Sequence, residues 1–357
     1  MMSTIQDVAK RAVVSVSTVS NVINGHVTRM RPETLQRVET AIRELHFRPS
    51  RLAQQLKTGN TPLLGLLVPS MTNPMYGYIA KEIENCAQKN FGYRLLIGST
   101  YRDKEKEIAF FDDLLSQGVR RVIVISSLAD ERHFETAADN GMVIVSYDRG
   151  AIPGRISRVN HVMPDNFAAA HMATKHLIDK GHTNLAFVTV AGMTMSRSAK
   201  IDGFYAAAED FGLRKTATVI DAGSLNEYGD SVIAEVGRAT AVEIAKFKNR
   251  PTGIVALNDL MALGLMAGFR DAGLVVPSDI SVVGIDGMYL GALANPSLTS
   301  IKLPVHEIAN EMVNLAMSVD LDKSEHGVEK VFPPTCLLER ESVSALTMPS
   351  VKSKILI

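Results

Sequence analysis

A chain of 357 residues has room for two or three domains at roughly 150 residues each. At 46% hydrophobic and 21% charged it can bury substantial cores and is not a disordered chain. Its 38 basic and 38 acidic side chains exclude a protein that is basic throughout, and its two cysteines, Cys86 and Cys336, are too few for a disulfide scaffold or a cysteine-built zinc site. No apolar run reaches the roughly 18 residues needed to cross a bilayer. The opening MMSTIQDVAKRA has no apolar signal core. The expectation is a cytoplasmic protein with no membrane partner.

Charge divides the chain. Residues 1–60 carry about 9 Lys/Arg and about 4 Asp/Glu, a net of about +5 that the remainder balances. A small basic module on a mildly acidic body suits a polyanion partner; a solvated charged surface is the plainer reading.

The first elements are short helices. Thr4 is placed to cap a helix over 5–11, with Asp7 in its first turn and Ile5, Val8, Ala9 and Ala12 on one face. After a break at Val13-Val14, Ser15 caps a second helix that runs to Ile23 and stops at Asn24-Gly25. Pro32 opens a third helix with Leu35, Val38, Ile42 and Leu45 as its apolar stripe. Two short helices across a tight turn, braced by a third, make a helix-turn-helix module. The second helix begins SVSTVSN, small hydroxylated side chains that let its N-terminus approach phosphates and base edges.

From residue 62, apolar runs alternate with amphipathic stretches: LLGLLVPS, a helix over 76–91, YRLLIGST, a helix carrying Ile108, Phe111, Leu114 and Leu115, then RRVIVISS and MVIVSYD. The pattern restarts at NLAFVTVAG, with a helix from about Lys200 to Phe211, then ATVIDAG, TGIVALN, a helix containing MALGLMAGFRDAG, and ISVVGIDG. This order predicts parallel sheets flanked by helices, in two lobes. Ser70, Asn73, Met75, Tyr76, Asp148, Arg149, Asn258, Asp259 and Asp286 fall at C-terminal strand ends, where open α/β sheets bind small ligands. Ile301 to Met317 has the spacing of an amphipathic helix, and the lobes are expected to take part in dimerisation.

The run TIQDVAKRAVVSVSTVSNVING, followed by RPSRLAQQLKTGNT, resembles the opening of the lactose-repressor (LacI/GalR) family, and the resemblance continues to about residue 342. It implies an N-terminal all-α helix-turn-helix headpiece (1–48), a hinge helix and linker (49–61), a two-lobed periplasmic-binding-protein-like effector-binding and dimerisation domain (62–342) and a C-terminal tail (343–357). By the resemblance, residues 15–24 form the recognition helix. Val16, Ser17 and Asn21 match base-reading positions, Thr18 and Ser20 phosphate contacts, and Thr4, Ser15 and Asn24 join that DNA-facing set. In the hinge, Leu56 matches a residue that wedges a base step of the minor groove, supported by Ala53, with Arg51, Gln54 and Gln55 reaching the backbone or groove edges.

Four positions depart from the family's pattern. Asn21 stands where Arg is common, and Asn suits adenine where Arg suits guanine. Val13 stands at a turn position that is commonly Gly, so the turn either takes φ > 0 at a cost or has another geometry. Lys200 stands three residues before Gly203 where Arg is usual, with Arg197 one turn earlier, and Gly287 replaces a common acidic residue. The effector set implied is Ser70, Asn73, Tyr76, Asp148, Arg149, Arg197, Lys200, Asn258 and Asp286, whose polar lining and family precedent suit a sugar or sugar derivative.

Catalytic constellations are missing: no GxSxG, Walker loop, HExxH or strand-borne GxGxxG. His161, His171, His176 and His182 read as surface or capping residues rather than a metal site, and no cofactor is expected. Pro349 and the absence of a heptad in the tail argue against a coiled-coil tetramer. The expected function is a sequence-specific transcriptional regulator, a repressor that binds a pseudo-palindromic double-stranded operator as a homodimer under control of a small-molecule effector. The other reading is a sugar-binding or sugar-processing α/β protein without specific DNA binding.

Overall fold

The computed structural model describes residues 3–23, 25–28, 30–47, 62–101, 103–126, 130–150, 157–190, 194–223, 232–318 and 326–346. Asn24 and the expected hinge helix, with Arg51, Ala53, Gln54 and Leu56, lie outside the described residues, as does the tail beyond Leu346. The chain divides into two compact units, residues 1–61 and 62–357.

In the first unit, α1 spans Ile5–Ala12, α2 Val16–Ile23 and α3 Pro32–Glu44. Thr4 starts α1 with a reciprocal capping box: its hydroxyl accepts from the Asp7 amide, and the Asp7 carboxylate accepts from the Thr4 amide at 2.8 Å. The same hydrogen bonds hold the Asp7 carboxyl below its ordinary range. Ser15 takes the corresponding place before α2, accepting from the Thr18 amide at 3.2 Å. Val8, Ala9, Ala12, Val19, Val38, Ala41 and Phe47 close a small core.

Of the two geometries open to the turn, the structure shows the first: Val13 sits in the left-handed region (φ 55°, ψ 52°), its amide satisfied by the Ala9 and Lys10 carbonyls. A β-branched residue pays there for the approach of its Cβ to the backbone.

The second unit holds two six-stranded sheets. In chain order its elements are β1 Leu63–Val68, α4 Pro74–Cys86 (prolonged by a π-helical turn, Ala87–Phe91), β2 Arg94–Ser99, α5 Lys104–Ser116, β3 Arg121–Ile125, α6 Arg132–Asp139, β4 Val143–Tyr147 and β5 Asn160–Pro164. There follow α7 Asn166–Asp179, β6 Leu185–Thr189, α8 Met195–Asp210, β7 Ala217–Asp221, α9 Ile233–Ala245, β8 Gly253–Ala256, α10 Asp259–Asp271 and β9 Ser281–Asp286. The last elements are α11 Tyr289–Leu293, β10 Thr299–Lys302, α12 Val305–Ser318, β11 Glu329–Phe332 and β12 Cys336–Leu338.

The first sheet has the order β2-β1-β3-β4-β5-β11 and is parallel throughout. The second has the order β7-β6-β8-β9-β10-β12, parallel except for its β12 edge. Strand order reverses between β1 and β3, and again between β6 and β8, which puts a crevice at the C-terminal strand ends of each sheet.

The chain crosses between the lobes three times: after β5, after β10 and between β11 and β12. The crossing strands are laced together by backbone hydrogen bonds, from the Asp165 amide to Phe332 O (2.7 Å) and from the Thr335 amide to Lys302 O (2.8 Å).

Three sequence-based expectations change. The stretch Ile301 to Met317 is not one helix: Ile301 and Lys302 finish β10, and α12 begins at Val305 after Pro304. That helix buries Val305, Ile308, Ala309, Met312, Val313 and Ala316, and packs against α4 and the first sheet, so its apolar face serves the core of the first lobe. The helix expected from Lys200 starts at Met195, because Thr194 caps it by accepting from the Arg197 amide at 3.2 Å. His161, His176 and His182 are buried rather than superficial. His182 is held between Thr252 Oγ1 and Ser344 O, and burial pushes its pKa down. Ser344 and Leu346 remain bonded to the second lobe.

Val13 is 77% exposed, so replacing it removes little packing. Val13→Asn, which tolerates the left-handed region, is expected to stabilise the headpiece by about 1 kcal/mol. Slower amide hydrogen exchange at Val8, Val19 and Val38 in the full chain would register the gain; unchanged exchange would show that the turn carries no strain.

Candidate functional site

On the first unit, α2 presents an exposed face. Ser15, Val16, Ser17 and Asn21 are exposed, Thr18 and Ser20 half-buried, and Val19 points into the core. Ser15 Oγ lies 2.7 Å from Ser17 Oγ and 2.8 Å from Thr18 Oγ1, so three hydroxyls meet at the start of the helix. Ser17 and Asn21 are one turn apart on one side. The Thr4 hydroxyl is engaged with Asp7, which commits it to capping α1.

In the second unit a cleft of about 550 Å³, part of it open to solvent, lies between the two lobes. The first lobe lines it with Pro69, Tyr76, Ile125, Ser126, Tyr147 and Asp148. The second lines it with Thr194, Ser196, Arg197, Lys200, Ile233, Leu257 and Asn258. Five expected effector residues therefore converge: Tyr76, Asp148, Arg197, Lys200 and Asn258.

Local structure explains the convergence. Asp148, directly after β4, takes a left-handed conformation (φ 63°) and accepts from Asn166 Nδ2 at 2.9 Å. Arg197 and Lys200 occupy the first turns of α8, both about nine-tenths buried, and the Lys200 ammonium donates to Leu257 O at 3.3 Å. Asn258 caps α10 through the Met261 amide (2.9 Å).

The other four expected residues are not among the cleft lining. Ser70 and Asn73 shape the turn after β1, Ser70 accepting from the Thr72 amide (3.2 Å) and Asn73 capping α4 through the Met75 amide (3.0 Å). Arg149 is buried against Glu131 at 2.6 Å. Asp286 ends β9 with an unusual φ of 144° and sits within electrostatic reach of Lys200, Asp148 and Asp259.

A buried carboxyl organises that corner. Asp259 is fully buried at the start of α10. It accepts from the Met288 amide (2.7 Å) and from Ser300 Oγ, while Ser300 Oγ in turn accepts from the Gly287 amide (3.0 Å). Gly284 makes room, since a Cβ there would lie 2.2 Å from Asp259 Oδ1. Gly287 has φ 72° and its Cβ would meet Lys302 Cα at 2.6 Å, so the turn as built excludes the acidic residue common at that position.

Burial pushes the Asp259 carboxyl up to about 6, partly offset by these hydrogen bonds. Burial, reinforced by the charge of Asp259, pushes Asp286 well above the usual carboxylate range. Burial and the neighbouring Asp148 likewise raise the Tyr147 phenol.

Sequence reasoning missed Ser126, Tyr147, Thr194 and Ser196 in the cleft. Tyr147 is the last residue of β4 beside Asp148, and Thr194 is a cap-type residue one turn before Arg197, so both carried a positional signal. Ile233 carried none. Ser126 connects the cleft to a buried group: its hydroxyl donates to Glu107 (2.8 Å), whose other oxygen meets His133 Nε2 at 2.7 Å. Among the described residues no cluster of His, Cys, Asp and Glu could hold a metal, and no helix is long and apolar enough to cross a membrane.

The raised Asp259 pKa has a stability consequence with a definite sign. The folded chain keeps a proton that the unfolded chain releases near 3.8, so stability falls as pH rises from about 4 to about 6 and levels off above. Asp259→Asn has no such proton. The difference in thermal midpoint between variant and parent is expected to move in the variant's favour over that window; a constant difference would show that the Asp259 carboxyl titrates alike in the folded and unfolded chain.

Comparison with known proteins matches residues 4–50 to the model of bacterial regulatory proteins, lacI family, and residues 174–343 to the periplasmic binding protein-like domain. The chain is 32% identical over 351 residues to the HTH-type transcriptional regulator DegA of Bacillus subtilis, covering 97% of this chain and 99% of that one. It is 33% identical over 349 residues to the HTH-type transcriptional repressor PurR of Aliivibrio fischeri, covering 96% and 99%. Among solved structures it resembles the lac repressor dimer bound to operator and the anti-inducer ONPF, with a TM-score of 0.82 at 24% identity, over 97% of this chain and 100% of that one. The chain belongs to the lacI family of bacterial transcription regulators.

Proposed function

We propose that the protein is a cytoplasmic repressor that binds a pseudo-palindromic operator as a homodimer and is switched by a small, sugar-like effector in the interlobe cleft. The observation that carries this reading is the pairing, in one chain, of a helix with an exposed hydroxyl and amide face and a polar cleft at two strand-order reversals. α2 enters the major groove, with Val16, Ser17 and Asn21 on base edges and Ser15, Thr18 and Ser20 on phosphates. Asn21 offers the donor and acceptor that adenine pairs with, and the exposed Val16 suits a thymine methyl. Leu56, in the segment that resembles the family's hinge, is assigned the wedge at the operator centre.

The lobes supply the switch. An effector that touches Tyr76 and Asp148 on one wall and Arg197, Lys200 and Asn258 on the other favours one lobe arrangement. Differential binding of about 1–3 kcal/mol between two arrangements changes operator affinity severalfold to over a hundredfold. Dimerisation is supported by an apolar groove on the second lobe, about 760 Å³ with its open space, between Leu263, Met266 and Leu274 on one side and Ala294 and Pro296 on the other. Val275 in that groove is 57% exposed, and a second copy of the chain is the assigned cover.

Selection of tight-binding duplexes from a random pool, at a stated salt concentration, tests the DNA assignment. An enriched inverted repeat is expected. No enrichment, with candidate effectors present or absent, would move the protein to the class of plain binding proteins. On the selected site, Asn21→Ala is expected to lose roughly 10- to 100-fold in affinity, the worth of one bidentate base contact, and to leave non-specific binding unchanged; equal loss on all DNA would make Asn21 a backbone contact. Val275→Asp is expected to shift sedimentation from dimer towards monomer, and an unaltered dimer would place the interface elsewhere.

A further inference from the structure

Ser126 lines the cleft directly after β3, and behind it the first lobe closes a carboxyl and an imidazole off from solvent. Glu107, in the first turn of α5, is 1% exposed, and His133, in α6, is 6% exposed. Their hydrogen bonds form one line. Ser126 Oγ donates to Glu107 Oε1 at 2.8 Å, and Glu107 Oε2 meets His133 Nε2 at 2.7 Å. The imidazole is held between Phe111, one turn beyond Glu107 on α5, and Phe134, with ring centroids 6.1 and 4.3 Å from its own. A buried carboxyl is costly unless its hydrogen bonds are made, so each member of the line depends on the next.

The far end of the line sets its direction. His133 Nδ1 is buried and has no hydrogen-bond partner among the described residues. A bare lone pair is tolerated there better than an orphaned N–H, so the ring proton resides on Nε2 and is donated to Glu107. Glu107 thereby accepts from His133 at one oxygen and from Ser126 at the other. A serine hydroxyl has one proton and two lone pairs. With its proton spent on Glu107, Ser126 has only lone pairs to offer the cleft. The neighbouring strand end carries another acceptor. β3 and β4 pair with Ile125 opposite Tyr147, which sets Ser126 beside the Asp148 carboxylate on strands about 5 Å apart.

We propose that Glu107 and His133 are positioning residues that fix Ser126 as a hydrogen-bond acceptor, so that the effector presents a donor, a hydroxyl or an N–H, at the Ser126–Asp148 corner of the cleft. This deepens the effector reading given above and rests on it. An ether, a carbonyl or a fluorine in that place sets lone pair against lone pair and leaves Ser126 unpaired, and a site built to pair with a hydroxyl rejects an analogue that lacks it. Glu107→Gln reverses the line. Its amide oxygen accepts from His133 Nε2, its amide nitrogen donates to Ser126 Oγ, and the Ser126 proton turns to the cleft. A ligand hydroxyl can then accept as readily as it donated before, and so can a fluorine.

Two measurements on the full-length protein test this. In protein with nitrogen-15-labelled histidine, with His133→Gln used to assign the ring, the His133 resonances at neutral pH are expected to show a protonated Nε2 and a bare Nδ1. The reverse tautomer, or a ring protonated at both nitrogens, would overturn the proposal. The second is calorimetric titration with D-glucose, D-galactose and D-ribose, each against its monodeoxyfluoro derivatives, in which fluorine removes the donor and keeps an acceptor. For a parent sugar that binds, fluorination at one position is expected to cost tenfold or more in affinity. That ratio is expected to shrink to threefold or less in both Ser126→Ala and Glu107→Gln, while the ratios at the other positions stay as they were. A Glu107 that served only packing would weaken parent and derivative alike, so an unchanged ratio in Glu107→Gln would overturn its positioning role. An unchanged ratio in Ser126→Ala would do the same and decides the matter if Glu107→Gln does not fold. Binding by none of the three parents would count against a sugar-like effector, and the ring resonances alone would then decide the direction of the line.

Discussion

The constraint on which the body depends is its threefold crossing between lobes. A single connection would leave two lobes free to swivel; three nearly adjacent ones confine them to opening and closing about one line. The backbone hydrogen bonds that join Asp165 to Phe332 and Thr335 to Lys302 tie the crossing strands to each other. The cleft lies between the lobes that these crossings join, and each of its walls is carried by strand ends and helix starts of one sheet. A ligand that bridges the walls therefore acts on the one coordinate that the topology leaves soft.

Beside that hinge sits the Asp259 knot. Its carboxyl ties the start of α10 to the turn after β9, and through Ser300 to β10, the strand that leads into a crossing. Asn258 lines the cleft one residue away. The wall of the cleft and the strand leading to the hinge thus share a rigid polar corner. Buried polar groups of this kind fix geometry when all their partners are present and are costly when one is lost.

Most of the architecture was legible in the sequence because hydrophobic periodicity and cap residues report local structure directly. Thr4, Ser15 and Pro32 mark the headpiece helices where they stand, and the alternation of apolar runs gives both sheets. What failed was non-local. Nothing in the spacing of Ile301 to Met317 says that Pro304 ends a strand and that the helix after it returns to the first lobe. Thr194 was overlooked as a cap, which delayed α8 by five residues. In the cleft, strand-end polar residues were found by position, but position does not distinguish a side chain that lines a cavity from one that builds its frame. Asn73 and Asn258 both cap helices, through the Met75 and Met261 amides, yet only Asn258 lines the cleft, and Arg149, as polar as Arg197, is turned against Glu131.

The same crossings bear on how the chain is made. The first lobe is not a continuous stretch of sequence: its core includes α12 and its sheet is edged by β11, both more than 120 residues beyond its other strands. A ribosome delivers β1 to β5 early, yet the apolar face those strands present to Ile308, Met312 and Val313 stays uncovered until synthesis is nearly finished. The second lobe, whose strands β6 to β10 arrive together, can close sooner. The half that is translated first is therefore the half that completes its fold last, and the interval between the two is when its exposed surface is most open to chaperones or to misassembly.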